Sequence, residues 1–136
     1  MILADTSAWV EFDRGTGSSV DDRVAELISQ DAPIAVTEPI LLEVLAGART
    51  DARERDLRRL LLGFRFRPLD PAADFEAAAR IYRRCRRTGV TPRGLNDCLI
   101  AAVAWRGGDS LLSYDADLAR VAGVIGIELD DASLRP

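Results

Sequence analysis

An α/β sandwich around a mostly parallel sheet of four to five strands is the fold class this sequence predicts. Three observations predict it. Strand candidates of short length recur at 1–4, 34–36, 64–69, 110–113 and 124–129, apolar throughout or in part. Segments with helical spacing of apolar residues lie between successive runs, the alternation that builds parallel sheets. The first run, MILA, is apolar without alternation, as expected of a strand covered on both faces. The chain of 136 residues suits one domain with its own core, and no repeat, linker or low-complexity tract divides it.

Taken in order, the opening strand runs into Asp5, with Thr6 and Ser7 placed to cap the helix that follows. SAWVEFDRG reads as that helix, with Trp9 and Val10 or Phe12 facing inward. A loop at 15–19 precedes a helix over 20–29, in which Val20, Val24, Leu27 and Ile28 keep helical spacing. After the strand at 34–36, Thr37 caps a helix with Glu38 and Pro39 in its first turn. Apolar residues point in nearly every direction around that helix, so it should be mostly buried, with Glu43 its one charge beyond the first turn. Residues 51–62 form an ordinary amphipathic helix, with Asp51–Arg55 and Glu54–Arg58 pairs one turn apart. The strand at 64–69 stops at Asp70-Pro71. A long helix over 72–88 follows, with Phe75, Ala78, Tyr82 and Cys85 as its buried stripe and Arg80, Arg83, Arg84 and Arg87 on one face. That arginine face suits RNA phosphate, an acidic partner or plain solvent. A loop carrying Pro92 and Arg93 leads to Asn96 and the apolar helix LIAAVAW, ended by Gly107-Gly108. Tyr114-Asp115-Ala116-Asp117 follows the strand at 110–113, then a short helix over 118–121, a last strand at 124–129 and a surface-exposed tail from Asp130.

Composition removes whole classes of chemistry. There is no histidine, which excludes Ser-His-Asp and Cys-His catalysis and histidine-rich zinc sites. All 18 basic residues are arginine, which excludes a lysine nucleophile, a Schiff base and the P-loop lysine. Cys85 and Cys98 lack C-x-x-C spacing and sit in helical stretches, so buried free thiols are expected. No apolar run approaches the ~20 residues of a membrane helix, and the opening run reads as a strand instead of a cleavable leader. A cytoplasmic location is expected. A net charge of −4 argues against broad coating of nucleic acid but is compatible with carboxylates that hold a cation.

Four acidic residues share one property: each lies in, or abuts, apolar sequence. They are Asp5, Glu43, Asp97 and Asp115, with Asp117 a near fifth. Asp5 and Asp115 follow predicted parallel strands, so both fall at the carboxyl edge of the sheet, where open α/β folds place their ligand sites. Glu43 and Asp97 sit near the starts of helices that begin at that edge. Carboxylates brought together repel and raise one another's pKa unless a cation intervenes. All-oxygen ligation suits Mg²⁺ or Mn²⁺, and such a site can hydrolyse a phosphodiester. Taken singly, Asp97 could be a helix-dipole residue, and Asp5 and Asp115 could be caps.

The segments ILADTSAWVE, TEPILLEVLAG, LNDCLIAAVA and LLSYDADL, in that order and over essentially the whole chain, resemble a PIN-domain ribonuclease, specifically a VapC-type toxin of a bacterial type II toxin–antitoxin system. The resemblance implies a single PIN-like nuclease domain over 1–136, a three-layer sandwich. It implies that Asp5, Glu43, Asp97 and Asp115 are catalytic and hold Mg²⁺ (or Mn²⁺), with Asp117 as an accessory ligand. Thr6 or Ser7 would support the site and Asn96 would orient it, and Ser113 stands where the family commonly carries threonine or serine. The implied function is a Mg²⁺-dependent endoribonuclease toxin, acting on transfer RNA or another RNA and neutralised by a cognate VapB-type antitoxin. A homodimer and a toxin–antitoxin hetero-oligomer are implied, with promoter DNA bound only through the antitoxin. The alternative is a metal-binding RNA- or antitoxin-binding module with negligible turnover. A phosphorelay receiver would need a lysine the chain lacks. A haloacid-dehalogenase-type phosphatase would need its Asp-x-Asp after the first strand, where this chain has Asp5 alone.

Overall fold

Three residues of the opening apolar run, Ile2–Ala4, form strand β1 in the computed structural model, which describes all residues from Met1 to Pro136. The remaining elements follow in the order α1 (Thr6–Arg14), α2 (Ser19–Ser29), β2 (Ile34–Val36), α3 (Glu38–Ala46), α4 (Asp51–Leu62), β3 (Arg65–Phe66), α5 (Pro71–Arg87), α6 (Leu95–Gly107), β4 (Ser110–Leu112) and α7 (Ala116–Ile125). The sheet order is β3-β2-β1-β4 and every pairing is parallel. Its strands are short and mostly apolar, and helices supply the crossovers that parallel neighbours require. This is the α/β architecture around a parallel sheet expected from the sequence.

The order has a mechanical consequence. From β1 the chain steps outward to β2 and β3, then returns to the other side of β1 as β4. The crevice between β1 and β4 is therefore the point where the winding reverses, and there the carboxyl ends of two adjacent strands diverge. Register places Ala4 opposite Leu112, and the Asp5 amide donates to the Leu112 carbonyl at 3.0 Å. The residues that leave these two strands start out side by side.

The core beneath the crevice contains Leu3, Val36, Ile40, Ile100, Leu111, Leu112 and Leu118, all buried. Trp9 pins α1 to it: the indole is buried, lies 4.9 Å from the Phe64 ring, and donates from Nε1 to the Ala4 carbonyl at 3.0 Å. Cys85 and Cys98 are buried free thiols. No helix is long and apolar enough to cross a membrane.

Several expectations from the sequence need correction. Helix α3 is not mostly buried. Pro39, Ile40 and Val44 face the core while Leu42 is 64% exposed, because α1, α4 and α6 cover only part of its circumference. The buried stripe of α5 includes Asp74, Ala78 and Cys85, and Phe75 is exposed. An aspartate faces inward there because Arg106 of α6 neutralises it, Nε to Oδ1 at 2.8 Å. The third strand is two residues long: Arg67 leaves it to pair with the buried Asp109. The expected strand at 124–129 reduces to one bridge between Leu111 and Leu129, since α7 runs on to Ile125 and ends only at Gly126, whose φ of 81° closes the helix. The tail is not wholly exposed, because Ser133 is buried behind β4.

Candidate metal centre

Asp5 follows β1 directly and is buried. It is itself the N-cap of α1, the role expected of Thr6 or Ser7: Oδ1 accepts the Ala8 amide at 2.9 Å. Ser7 Oγ donates to the same oxygen at 2.7 Å, and Ser113 Oγ donates to Oδ2 at 2.7 Å. Capping and lining the crevice are thus one geometry, with the carboxylate fixed by donors from both strand ends. Ser113 also accepts the Asp115 amide at 3.0 Å, and Ser7 accepts the Tyr114 amide at 2.7 Å. Behind Ser113, its own amide donates to Ser133 Oγ at 3.2 Å.

Glu43 reaches the crevice from the second turn of α3. Its Oε1 accepts Thr6 Oγ1 at 3.0 Å and Asn96 Nδ2 at 2.7 Å. Asn96 also donates to the Pro39 carbonyl at 3.2 Å, which ties the start of α6 to α3. Asp97 follows on α6. Asp115 is the N-cap of α7, with Oδ1 accepting the Asp117 amide at 2.9 Å and Oδ2 accepting Arg93 Nη2 at 2.8 Å.

Asp5, Glu43, Asp97 and Asp115 line one crevice of about 230 Å³, together with Thr6, Ser7, Glu11 and Tyr114. The four acidic residues singled out in the sequence are therefore brought together. Asp117 is not among the lining residues; its carboxylate lies between Arg93 Nε at 2.5 Å and Arg120 Nη1 at 2.7 Å. Glu11 does line the crevice, although nothing in its sequence surroundings set it apart from other charges on a helix face. Ser133 likewise left no signal in a polar tail.

Burial pushes the Asp5 carboxyl up to about 6, against the lowering effect of the Ser7, Ala8 and Ser113 hydrogen bonds. Asp97 is also pushed up to about 6, first by burial and then by the charges of Asp115, Glu43 and Asp5, while Arg93 pulls it down. The two groups thus sense the surrounding negative charge, and a hard divalent cation is what such a donor set accommodates. As the carboxylates stand, no three are gathered closely enough to enclose an ion. Glu43 Oε2 and the Asp97 carboxylate nevertheless carry no protein donor, so oxygen lone pairs are available on two sides of the crevice. The donor set therefore fits Mg²⁺ or Mn²⁺, with some approach of the side chains required. Cys98 lies next to Asp97 in sequence, but burial pushes its thiol up to about 11, and a protonated buried thiol is neither a ligand nor a nucleophile.

Residues 2–124 match the family model described as PIN domain. Ribonuclease VapC11 of Mycobacterium tuberculosis is 47% identical over 129 residues, spanning 94% of this chain and 96% of that protein. VapC ribonuclease Mb1587 of Mycobacterium bovis matches to the same extent. Among solved structures, VapBC2 from Rickettsia felis bound to a promoter DNA fragment aligns with a TM-score of 0.76 at 18% identity, covering 98% of this chain and 99% of that one. VapC20 of M. tuberculosis, described as a sarcin-ricin loop cleaving toxin, aligns with a TM-score of 0.62 at 19% identity over the whole of both chains.

Proposed function

The chain belongs to the PIN domain family, and on that premise we propose that it is a Mg²⁺-dependent endoribonuclease, the toxin of a toxin–antitoxin pair. The carrying observation is the convergence of Asp5, Glu43, Asp97 and Asp115 on one crevice at the reversal point of a parallel sheet. The ribonuclease activity named for its 47%-identical relatives supports the same reading. Asp5, Glu43, Asp97 and Asp115 would hold the cation, which supplies Lewis-acid stabilisation of charge developing on phosphate oxygen.

The chain's own contribution is positioning. Ser7, Ser113 and the Ala8 amide hold both Asp5 oxygens in place. Thr6 and Asn96 hold one Glu43 oxygen and leave the other free. Asp97, with no protein donor and a carboxyl raised first by burial and then by its acidic neighbours, is the group able to accept a proton from an attacking water. Asp117, engaged by two arginines, keeps its accessory role only if it exchanges one of them for the cation.

A VapB-type antitoxin would neutralise the protein by covering the crevice, with promoter DNA contacted through the antitoxin. The net charge of −4 is in keeping with that division of labour, as is the toxin–antitoxin make-up of the DNA-bound Rickettsia complex. A homodimer within the hetero-oligomer completes the proposed assembly.

The deciding experiment maps RNA ends after expression of the wild type and of Asp5→Asn. Discrete new ends with the wild type and none with the variant are expected. Equal cleavage by both would falsify the site, and no cleavage by either would favour a binding module without turnover. Ca²⁺ should bind yet support little cleavage, because its looser coordination positions a water poorly; full activity in Ca²⁺ would exclude a Mg²⁺-type mechanism.

A further inference from the structure

We propose that Arg93 is a substrate-positioning residue that divides its guanidinium between the carboxylates of the site and the phosphate of the RNA. The inference rests on the nuclease reading above. Arg93 bridges two acidic residues at once, Nη2 to Asp115 Oδ2 at 2.8 Å and Nε to Asp117 Oδ2 at 2.5 Å. Its side chain is 67% exposed, at the rim of the crevice. Its chain neighbours tie it to the site. Pro92 is buried on one side, and on the other Gly94 is the N-cap of α6, which carries Asn96 and Asp97. An exposed guanidinium beside the site carboxylates is placed to meet a ligand there, and its planar fork of donors matches phosphate as well as carboxylate.

The exchange follows from charge. Asp115 has one oxygen on the Asp117 amide and the other on Arg93. A divalent cation held on Asp115 Oδ2 would share that oxygen with the Arg93 guanidinium, and two positive charges so close repel. With a cation on Asp115 the guanidinium would be held more weakly there and would keep its pair with Asp117. Asp117 in turn is steadied by Arg120 at 2.7 Å. The freed donors of this exposed side chain would be open to a phosphodiester approaching the crevice. Asp117 thus acts as the anchor of the arginine.

The test compares Arg93→Ala and Arg93→Lys with the wild type, with thermal melts to confirm folding. Titration calorimetry with Mg²⁺ alone should show Arg93→Ala binding about two- to fivefold more tightly, the range expected for removing one exposed ionic competitor. Binding of a short mixed-sequence single-stranded RNA should weaken, and its slope of log affinity against log salt should fall by about 0.7, one phosphate contact. KM should rise more than kcat falls, and Arg93→Lys should recover the salt slope but only part of the affinity. Unchanged Mg²⁺ and RNA affinities would overturn the proposal and leave Arg93 as a tie between the 89–94 loop and α7, even if the melting temperature falls. Weaker Mg²⁺ binding in Arg93→Ala would also overturn it. The two readings fail separately: cleavage that survives Asp5→Asn sinks the nuclease site, whereas unaltered affinities in Arg93→Ala beside an inactive Asp5→Asn sink only this role.

Discussion

Asp5 shows how a single side chain can serve the fold and the site together. As a cap it satisfies the Ala8 amide of α1, and as an acid it is held in a buried place where its charge is disfavoured. Its carboxyl and that of Asp97 rise from 3.8 to about 6, so the folded metal-free chain keeps protons that the unfolded chain has already released. Their stabilising contribution is full below about pH 4 and disappears as pH rises through 6. For Asp5 the loss is on the order of 2–3 kcal/mol. Thermal melts of metal-free protein should show stability falling between pH 4 and 6, with a smaller fall in Asp5→Asn. Asp74 and Asp109, whose carboxyls are lowered by Arg106 and Arg67, act in the opposite sense and only at lower pH. Mg²⁺ should raise the melting temperature more at pH 7 than at pH 5.5, since protons compete for the same oxygens. Ser113→Ala, which strips one donor from Asp5 and an acceptor from the Asp115 amide, should lower metal affinity or cleavage about 10–100-fold. Metal titration and initial rates measure it.

At the scale of elements, legibility followed burial that sequence pattern can express. The helix at 51–62 and the strand at 34–36 were readable to the residue, because period and flanking Thr, Pro and Gly agree there. Helix α5 was readable in extent but not in face. Its inward Asp74 is neutral in effect only because Arg106 arrives from another element, and no local window contains both. Helix α3 looked buried all round because hydrophobicity reports capacity to be covered, and Leu42 has no cover within this chain. The Arg106–Asp74 pair gives a check on this account. Arg106→Ala leaves Asp74 buried without its cation and should cost about 3 kcal/mol, the low end for such pairs because Arg106 is a third exposed. Chemical denaturation measures it, and Mg²⁺ affinity should be unaltered.

For the whole molecule, the four carboxylates could be read from the sequence because parallel-strand ends and helix starts must share an edge in this fold class. What could not be read were contacts that depend on the sheet order: the Arg93 bridge, the Glu11 lining and the support from Ser133. A second buried pair illustrates the same limit. Asp109 is held by Arg67 Nε and Nη2, both at 2.8 Å, directly over Gly107. A β-carbon at Gly107 would lie 2.5 Å from Arg67 Nε, so the glycine reports a neighbour 40 positions away, as well as a helix end. Gly107→Ala should displace that bridge and lower the melting temperature while leaving the Asp5 geometry intact.

The bond from Ser113 to Asp5 spans 108 positions, and Ser113 is itself backed by Ser133 at the far end of the chain. During synthesis, then, Asp5 emerges 108 positions ahead of the serine that holds it. The crevice stays incomplete until the segment carrying Ser113 and Asp115 has left the ribosome. Asp5 alone therefore makes no site: its place in the crevice is completed only when the segment carrying Ser113 and Ser133 folds against β1.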